Sequence, residues 1–575
     1  MKNAEIADIF AAIADLQEIL GADRFRINSY RKVSRTLAEL TEDVEDLAAT
    51  GELEGIPGIG KSTAQKIRRC LQMGRVEQYD ELRAKVPPEL PGLLEVSGLG
   101  PKTVAKLWKQ GGITSVAELS KALDADSERL AAIEGLGEKK LQQIREALAF
   151  KESGGGRVRL GEADELAAGL VDAISRHKAA KRVVAAGSLR RGCETVGDID
   201  LLCEASASAG EGIIQAFAGG GNVRRVLAAG KTKGSIVLEG DVQADLRVVP
   251  AKSYGAALAY FTGSKEHNVC LRELAIRKGW KLNEYGLFDG DGKQIAGATE
   301  RSLYEALGME FIPPELREDR GELDAADQGK LPELLELADI RGDMHLHTRA
   351  SDGANTIEEM ISACRQRGYK YMCFCDHSRS QVQANGLDAS RLAEHVKAIR
   401  AAGRKCKDIL VLAGCEVDIF KDGSLDFEAD VLAELDFVTA SAHSALSQRR
   451  PEATRRLIKA IETPHVHCIG HPSGRLILSR AGMEIDINEI AHAAAANNVA
   501  LELNAHYWRL DLRDTHVRAA IEAGAKIIIN TDAHSTADLD YMKYGVTTAR
   551  RGWAKASDAI NTYTPAKLKS FLTRE

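Results

Sequence analysis

The sequence predicts a multidomain chain of mixed class: a helical N-terminal region, a compact α/β unit in the middle, and a C-terminal barrel of alternating strands and helices. Three observations predict it. A Gly-x-Gly turn that opens a helix recurs before residue 150, an Asp-x-Asp pair lies on a short apolar strand near residue 200, and apolar runs alternate with helical periods after residue 340. At 575 residues the chain exceeds what one hydrophobic core supports, so several domains are required.

Composition narrows the class. The chain is 44% hydrophobic and 28% charged, as soluble globular proteins are, and no apolar run approaches the roughly 18 residues of a membrane span. The opening "MKNAEIADIF" has neither the basic nor the apolar segment of a signal peptide, so a cytoplasmic, nucleoid-associated protein without a membrane partner is expected. The ten cysteines are scattered, with only Cys373 and Cys375 close together, which reads as reduced thiols rather than a disulfide framework or a Cys-type zinc finger. A net charge of −7 means that any basic surface for nucleic acid is local.

The helical region carries one pattern three times: "GIPGIGKSTAQKI" (55–67), "EVSGLGPKTVAKL" (95–107) and "IEGLGEKKLQQI" (133–144). Paired glycines allow a tight turn whose backbone N–H groups, with the following helix N-terminus, can approach a phosphate. Gly58, Gly60 and Lys61 in the first copy, Gly98, Gly100 and Lys102 in the second, and Lys139 in the third fit the helix-hairpin-helix grip on a DNA backbone. One such turn alone reads as a helix cap; three, each with a lysine within two residues of the second glycine, do not. The third copy is the weakest, because Glu134 and Glu138 flank its glycines. Upstream, "RFRINSYRKVSRTLAEL" places Arg24, Arg26, Arg31, Lys32 and Arg35 with Tyr30 near the first hairpin, the composition of a DNA-end pocket.

In "KRVVAAGSLRRGCETVGDIDLLCEA" a strand over 182–186 leads into a Gly-Ser loop and then a second strand over 199–203. Asp198 and Asp200, two apart, point to one face of the second strand. Adjacent carboxylates repel unless divalent cations sit between them, the arrangement used for phosphoryl transfer. Gly187 and Ser188 can cradle a triphosphate with Arg191 adding charge, and Asp245 in "DVQADLRVV" supplies a third acid.

Beyond a charged segment after Pro314 come "DMHLH", "YMCFCDH", "ILVLAGCEV", "DFVTASAH", "HCIGH", "ALELNA" and "IIINTDAH", with helical periods between several of them. Such alternation builds a parallel barrel close to the (β/α)8 type, whose chemistry gathers at the C-terminal strand ends. His345, His347, His377, Glu416, His443, His471, Asp532 and His534 fall there, and Asp352 follows the first strand. These nine suffice for three ions sharing a bridging carboxylate, and a histidine-rich set suits Mn2+, Zn2+ or Fe2+ better than Mg2+. His395, His465, His467, His492, His506 and His516 lie off the pattern and read as structural, whereas Asn504 and Arg509 are rim candidates for a substrate phosphate.

Two resemblances follow. "GSLRRGCETVGDIDLL", "ADLRVVP", "YFTGSKEHN" and "KGWKLNEYGLF", in that order, resemble the nucleotidyltransferase core of family X DNA polymerases, to which DNA polymerase beta belongs, with the likeness running over about residues 1–320. It implies that Asp198, Asp200 and Asp245 bind two Mg2+, with Asp245 nearest the primer 3′-OH. It further implies that Ser188, Arg191 and Gly197 hold the triphosphate, that Tyr260, Phe261 and Gly263 line the sugar pocket, and that Asn268 and Arg272 lie near the base pair and template. Lys66 matches the family's Schiff-base lysine for 5′-deoxyribose phosphate removal, though Phe25 replaces a polar pocket residue and Lys265 an acid near the nucleotide base. A surface helix lysine is the equal alternative for Lys66.

The second resemblance, from Asp343 to about His534, is to the PHP (polymerase and histidinol phosphatase) family, through HxHTxxSDG, DH, GxE, GHP and TDAH, and implies a distorted (β/α)7 barrel. It assigns one ion to His345, His347, Glu416 and Asp532, a second to Glu416, His443 and His471, and a third to Asp352, His377 and His534; Asp343 falls to a supporting or strand-entry role. The expected divisions are an N-terminal helical domain (1–85), a second hairpin subdomain (86–155), a palm (156–251), a base-pair-binding subdomain (252–320), a linker (321–338) and the barrel (339–575).

Together the two parts resemble bacterial and archaeal family X polymerases. The expected enzyme is a monomer that fills gapped or nicked DNA from dNTPs and trims 3′ ends with metal-activated water in the barrel, with abasic-site cleavage as a further activity. The alternatives are a DNA-binding scaffold whose only activity is the barrel nuclease, and a barrel that hydrolyses small phosphoesters or is inert.

Overall fold

The computed structural model describes residues 3–40, 44–56, 58–73, 76–96, 99–125, 127–133, 135–138, 140–142, 144–145, 148 and 157–573. They divide into two compact units, 1–156 and 157–575. Among the described residues no helix is long and apolar enough to cross a membrane.

The first unit is helical. Asn3–Leu20 and Arg24–Glu39 pair through Ile6, Phe10, Ile13, Ile27, Tyr30, Val33 and Leu37, which recur every three or four residues in each helix and are buried. Asp23 caps the second helix by accepting the Phe25 N–H at 2.8 Å. A second core gathers Val104, Leu107, Leu119, Leu130 and Ile144. The three glycine hairpins share one backbone hydrogen bond: Ile59 N donates to Ile56 O at 3.0 Å, Leu99 N to Val96 O at 3.0 Å, and Leu136 N to Ile133 O at 2.9 Å. The third copy therefore keeps the same backbone bond as the others.

The second unit opens with a five-stranded sheet of β1 (Arg182–Ala185), β2 (Asp198–Glu204), β3 (Val223–Ala229), β4 (Lys233–Leu238) and β5 (Gln243–Val249), in the order β1-β2-β5-β4-β3. Only β2 and β5 pair in parallel. The helices Tyr254–Thr262, Lys265–Arg277 and Glu300–Leu307 follow, around Leu271, Ala275, Leu303, Tyr304 and Ile312. The segment 321–338, expected as a linker, is packed instead. Glu322 is fully buried and its Oε1 lies 2.7 Å from His267 Nδ1, Ala326 joins the preceding core, and Leu335 N donates to Ala554 O at 2.9 Å. Its charge content suggested solvent, and Asp324, Asp327, Lys330 and Glu333 are indeed exposed, but Glu322 is paired inside the fold and the apolar residues between are packed.

Seven parallel strands in sequence order build the barrel: β6 (Gly342–Leu346), β7 (Tyr371–Phe374), β8 (Leu410–Asp418), β9 (Phe437–Ser441), β10 (Cys468–Gly470), β11 (Ala500–Asn504) and β12 (Ile527–Asn530). The last meets the first where His347 N donates to Ala533 O at 2.9 Å, so the ring has seven strands rather than eight. Met344, Tyr371, Cys373, Cys375, Phe437, Cys468 and Ile528 form an apolar cluster separate from the larger one under the helices. All ten cysteines are free.

Sheet and barrel are fastened together. A side chain at Gly161 would collide with the Tyr507 ring and one at Gly192 with Thr547, so glycine permits the close approach. Lys543 pairs with Asp164 at 2.6 Å and Arg475 with Glu194 at 2.8 Å. Arg551, 8% exposed at the end of the helix Met542–Arg551, donates to Arg191 O and Glu318 Oε1, both at 2.8 Å, and lies 2.9 Å from Asp514 Oδ2.

Candidate active sites

Parallel pairing places Asp200 opposite Asp245, and the period of two puts Asp198 beside them. One oxygen from each of the three lies within 4.8 Å of the others. Crowding has an electrostatic cost. Desolvation and the charges of Asp198 and Asp245 push Asp200 up to about 7, and desolvation with Asp245 raises Asp198. Divalent cations would remove that cost, so the donor set fits them. Asp245 is oriented by Ser235 Oγ and by Gln243 Nε2 at 3.0 Å. Gly187 sits at φ +61°, and any Cβ there would overlap the Asp200 carboxylate. Ser188 follows it in the short turn Gly187–Arg190.

Arg191, expected to be available to a triphosphate, is already engaged: Nη1 donates to Thr262 O at 2.6 Å and Nε to Glu318 Oε1 at 3.0 Å. The cation the sequence reading missed is Arg157, next to Gly197, whose charge lowers Asp198 against its larger desolvation. Arg157 precedes Gly197 by 40 residues, so no local pattern pointed to it. Gly263 lies at φ +73° where a Cβ would press on Arg191 Nη1. Tyr260 is 38% exposed, with its ring edge-on to Phe261 at 5.2 Å. Asn268 Nδ2 donates to Tyr260 O at 2.7 Å and Arg272 Nε to Asn268 O at 3.2 Å, so these residues line one side of the helix Lys265–Arg277.

In the helical unit Gly58 lies at φ +92° against the Lys32 side chain, Gly100 begins the helix Pro101–Gly111, and Lys61, Lys102 and Arg26 are exposed. Gly98 and Lys139 lie outside the described residues. Tyr30 is not a surface residue: it is 7% exposed, packs on Phe10 and donates its hydroxyl to Gln78 Oε1 at 2.5 Å. The exposed aromatic is Phe25, at 85%. Helical period decided this, since Tyr30 shares the inward face with Ile27 and Val33. Lys66 is half-buried and donates from Nζ to the Tyr30 hydroxyl, so it is not a free surface lysine.

At the barrel rim all nine expected side chains converge. Glu416, fully buried at the end of β8, is the hub: Oε2 lies 2.8 Å from His377 Nδ1, 3.4 Å from His345 Nε2 and 3.8 Å from His347 Nε2, and Oε1 lies 2.9 Å from His471 Nε2 and 3.4 Å from His443 Nε2. Asp532 Oδ1 is 3.0 Å from His347 Nε2, and Asp352 Oδ2 is 3.3 Å from His534 Nε2 and 3.5 Å from His377 Nε2. Three groups of donors emerge: His345 with His347 and Asp532; His377 with Glu416 and His443; and His347 with Asp352, His377 and His534. His347 and His377 thus each stand between two groups, where a single assignment was expected.

The fit to metal ions rests on stranded atoms. His345 Nε2, His347 Nδ1, His377 Nδ1 and Glu416 Oε2 are buried with no hydrogen-bond partner among the described residues, although they crowd together. Buried polar atoms are rarely left so. Donors converging on a shared ion look like this. Burial opposes charge on His377, yet Glu416 and Asp352 hold it at about 10, while burial and the neighbouring His534 and His377 push His347 down to about 4.

The supporting residues were harder to foresee. Glu502 in β11 is fully buried, lies 2.7 Å from His345 Nδ1 and accepts His471 N at 2.7 Å. Asp418 is 2.5 Å from His443 Nδ1. Such carboxylates fix the tautomer and aim of a ligating histidine. A lone acid in the apolar run "ALELNA" was the available signal. Asp343 is buried, accepts the Thr531 hydroxyl and is pushed by desolvation up to about 7. Asn504, expected to meet substrate, is fully buried and donates instead to Asp532 Oδ2 at 3.0 Å. Arg509 does reach the cluster, with Nε 3.7 Å from Asp532 Oδ2. His395 Nε2 lies 2.7 Å from Asp376, which braces Thr348 and Ser351.

A three-acid palm centre and a histidine-rich barrel centre on a chain that also carries glycine hairpins define a DNA polymerase of the beta type joined to a PHP phosphoesterase domain. Family models agree in order along the chain: a helix-hairpin-helix domain at 1–76, a SAM-like helix-hairpin-helix tandem at 91–149, a DNA polymerase beta thumb at 257–318 and a PHP domain at 343–506. The chain is 37% identical, over the whole of both proteins, to the DNA polymerase/3′-5′ exonuclease PolX of Bacillus subtilis (strain 168). Its barrel part alone is similar to probable phosphatases of Caldicellulosiruptor bescii and Caldicellulosiruptor saccharolyticus, 33% and 32% identical over 34% of this chain and 80% of each of them. The chain belongs to the PolX family of DNA polymerase/3′-5′ exonucleases.

Proposed function

We propose that the chain fills short gaps in DNA from dNTPs at the Asp198–Asp200–Asp245 centre and trims 3′ ends at the barrel centre. The observation that carries this is the presence of two separate donor clusters, each built for divalent ions, on one unit. Asp198, Asp200 and Asp245 would hold two Mg2+. The nine barrel residues would hold three Mn2+, Zn2+ or Fe2+, with Glu416 shared between them. Bound there, such ions supply charge neutralisation and Lewis acidity for phosphoryl chemistry.

The chain's own groups do the rest. Asp245, steadied by Ser235 and Gln243, is aimed at the primer 3′-OH. Gly187 keeps backbone close to the incoming triphosphate beside Ser188 and Gly197, and Arg191, fixed by Glu318 and the Thr262 carbonyl, gives that wall its charge. Tyr260, Phe261 and Gly263 shape the sugar pocket, and Asn268 and Arg272 face the nascent pair. Gly58, Gly60, Lys61, Gly100, Lys102 and Arg26 grip the DNA backbone. In the barrel, Glu502 and Asp418 hold His345 and His443 in register, and Arg509 steers the scissile phosphate.

The test is a labelled gapped primer with Mn2+, comparing wild type, Asp198→Ala and His345→Ala. The first variant loses extension and keeps trimming, and the second does the reverse. Loss of both activities in either variant would break the two-centre reading. The barrel's likeness to probable phosphatases favours a second outcome worth scoring, removal of a 3′-terminal phosphate by the same centre.

A further inference from the structure

We propose that Trp508 and Leu478 form a seat for the terminal bases of an unpaired DNA 3′ strand, presenting the last phosphodiester to the barrel centre. This rests on the exonuclease reading above and names what would set this barrel apart from one that takes small phosphoesters.

Two large apolar side chains stand in solvent on the loops that follow β10 and β11: Trp508 is 45% and Leu478 56% exposed. Their loops are joined, since Ile477 N donates to Trp508 O at 2.7 Å. Arg159 fastens both, with Nε donating to Ile477 O at 2.9 Å and the guanidinium 4.8 Å from the centre of a Trp508 ring. The indole is therefore a stack already begun, with a cation against it and much of its area still in water. Leu478 sits at φ +61°, a region that residues with a Cβ enter at a cost. An exposed leucine on a strained backbone gains nothing in the free protein, and such strain tends to mark contact sites.

Charge continues the pattern. Arg509, next to Trp508, places Nε 3.7 Å from Asp532 Oδ2, and its Nη1 is buried with no hydrogen-bond partner among the described residues. Arg480, two residues past Leu478, is anchored through the Gly474 carbonyl, with Nη2 at 2.7 Å. Desolvation and then the Arg509 charge lower Arg480, so the two cations lie close enough to repel. Flat apolar surface, then paired cations, then the phosphoesterase centre is the order of groups along a nucleotide chain. Small phosphoesters use only the last two. Stacking accepts any base, which suits an enzyme that must trim any 3′ end.

The test uses the full chain with Mn2+ on two substrates, a single-stranded oligonucleotide and bis(p-nitrophenyl) phosphate. Trp508→Ala lowers kcat/KM for the oligonucleotide roughly tenfold relative to the small ester, chiefly through KM. Trp508→Phe recovers most of the ratio, because it keeps a ring to stack on. Leu478→Ser, at a site too exposed to matter for folding, shifts the ratio the same way by roughly threefold and decides the matter if Trp508→Ala misfolds. Equal loss on both substrates, a Trp508→Phe no better than Trp508→Ala, or an unmoved ratio in the Leu478 variant would overturn the seat. A wild type that cleaves the ester but leaves oligonucleotide ends intact would refute the exonuclease reading instead.

Discussion

Replacing Arg551 with methionine should loosen the joint between palm and barrel by about 3 kcal/mol, and the loss should depend on pH. Arg551 is 8% exposed and feeds two carboxylates, Glu318 at 2.8 Å and Asp514 at 2.9 Å. Removing one partner of a buried pair costs roughly 3–5 kcal/mol when the other is stranded. Here each acid keeps one arginine, Glu318 with Arg191 at 3.0 Å and Asp514 with Arg320 at 2.9 Å, which puts the expected cost at the lower end. An independent route gives a similar size. Burial works against the Glu318 charge, yet Arg551 first and Arg191 second hold it down at about 2 against an ordinary 4.5. At about 1.4 kcal/mol per pKa unit the net lowering is worth about 3.5 kcal/mol through Glu318 after burial is overcome, and Arg551 is its largest favourable contributor.

The sign follows from linkage. A carboxylate whose folded pKa is depressed adds stability that is fully present above about 4.5 and is lost as pH falls towards about 2. Chemical unfolding of wild type and Arg551→Met at pH 7 and pH 3.5 should therefore show a gap that narrows at the lower pH. A pH-independent gap, or a variant within about 0.5 kcal/mol of wild type at pH 7, would show that the network contributes only as an exposed ion pair does.

Further outcomes are expected at the two centres. Gly187→Ala should abolish primer extension, by roughly a hundredfold or more, while trimming persists, because its Cβ would overlap the Asp200 carboxylate at a positive φ; a gapped-primer assay reads both. Glu502→Gln should weaken metal retention by the barrel about 10- to 100-fold without touching extension, since it removes the carboxylate beside His345 Nδ1, and metal content after dialysis against a chelator checks it. If Lys66 is the lyase nucleophile, borohydride should trap wild type on 5′-deoxyribose phosphate DNA and fail to trap Lys66→Ala; equal trapping would return Lys66 to a packing role against Tyr30.

What could be read in advance was what one strand or one turn encodes. Asp198 and Asp200 share a face by simple alternation, and the strand-end histidines needed only the barrel's polarity to be gathered. What escaped was set by partners far along the chain. Glu502 is 157 residues from the histidine it orients, and Arg551 is 360 residues from the Arg191 carbonyl it holds. Burial also reassigned residues of the right type: Tyr30 turned into the core and Asn504 into the carboxylate network, while Phe25 and Trp508 stayed exposed.

The same long-range contacts bear on how two opposed chemistries share a substrate. Lys543 with Asp164 at the surface, and Arg475 with Glu194, Arg159 with the Ile477 carbonyl and Arg551 with Glu318 further in, tie sheet to barrel. A joint of that kind resists the hinge motion that would carry one centre towards the other, so the primer end has to travel. A paired end stays stacked on its template and has little reason to leave the palm, whereas a frayed end offers free bases. The rim that meets such an end presents a half-covered indole and two arginines, and Arg159, which braces that indole, comes from the palm side of the joint. Selection between extension and trimming would then lie in the pairing state of the DNA end, with no moving part of the protein required.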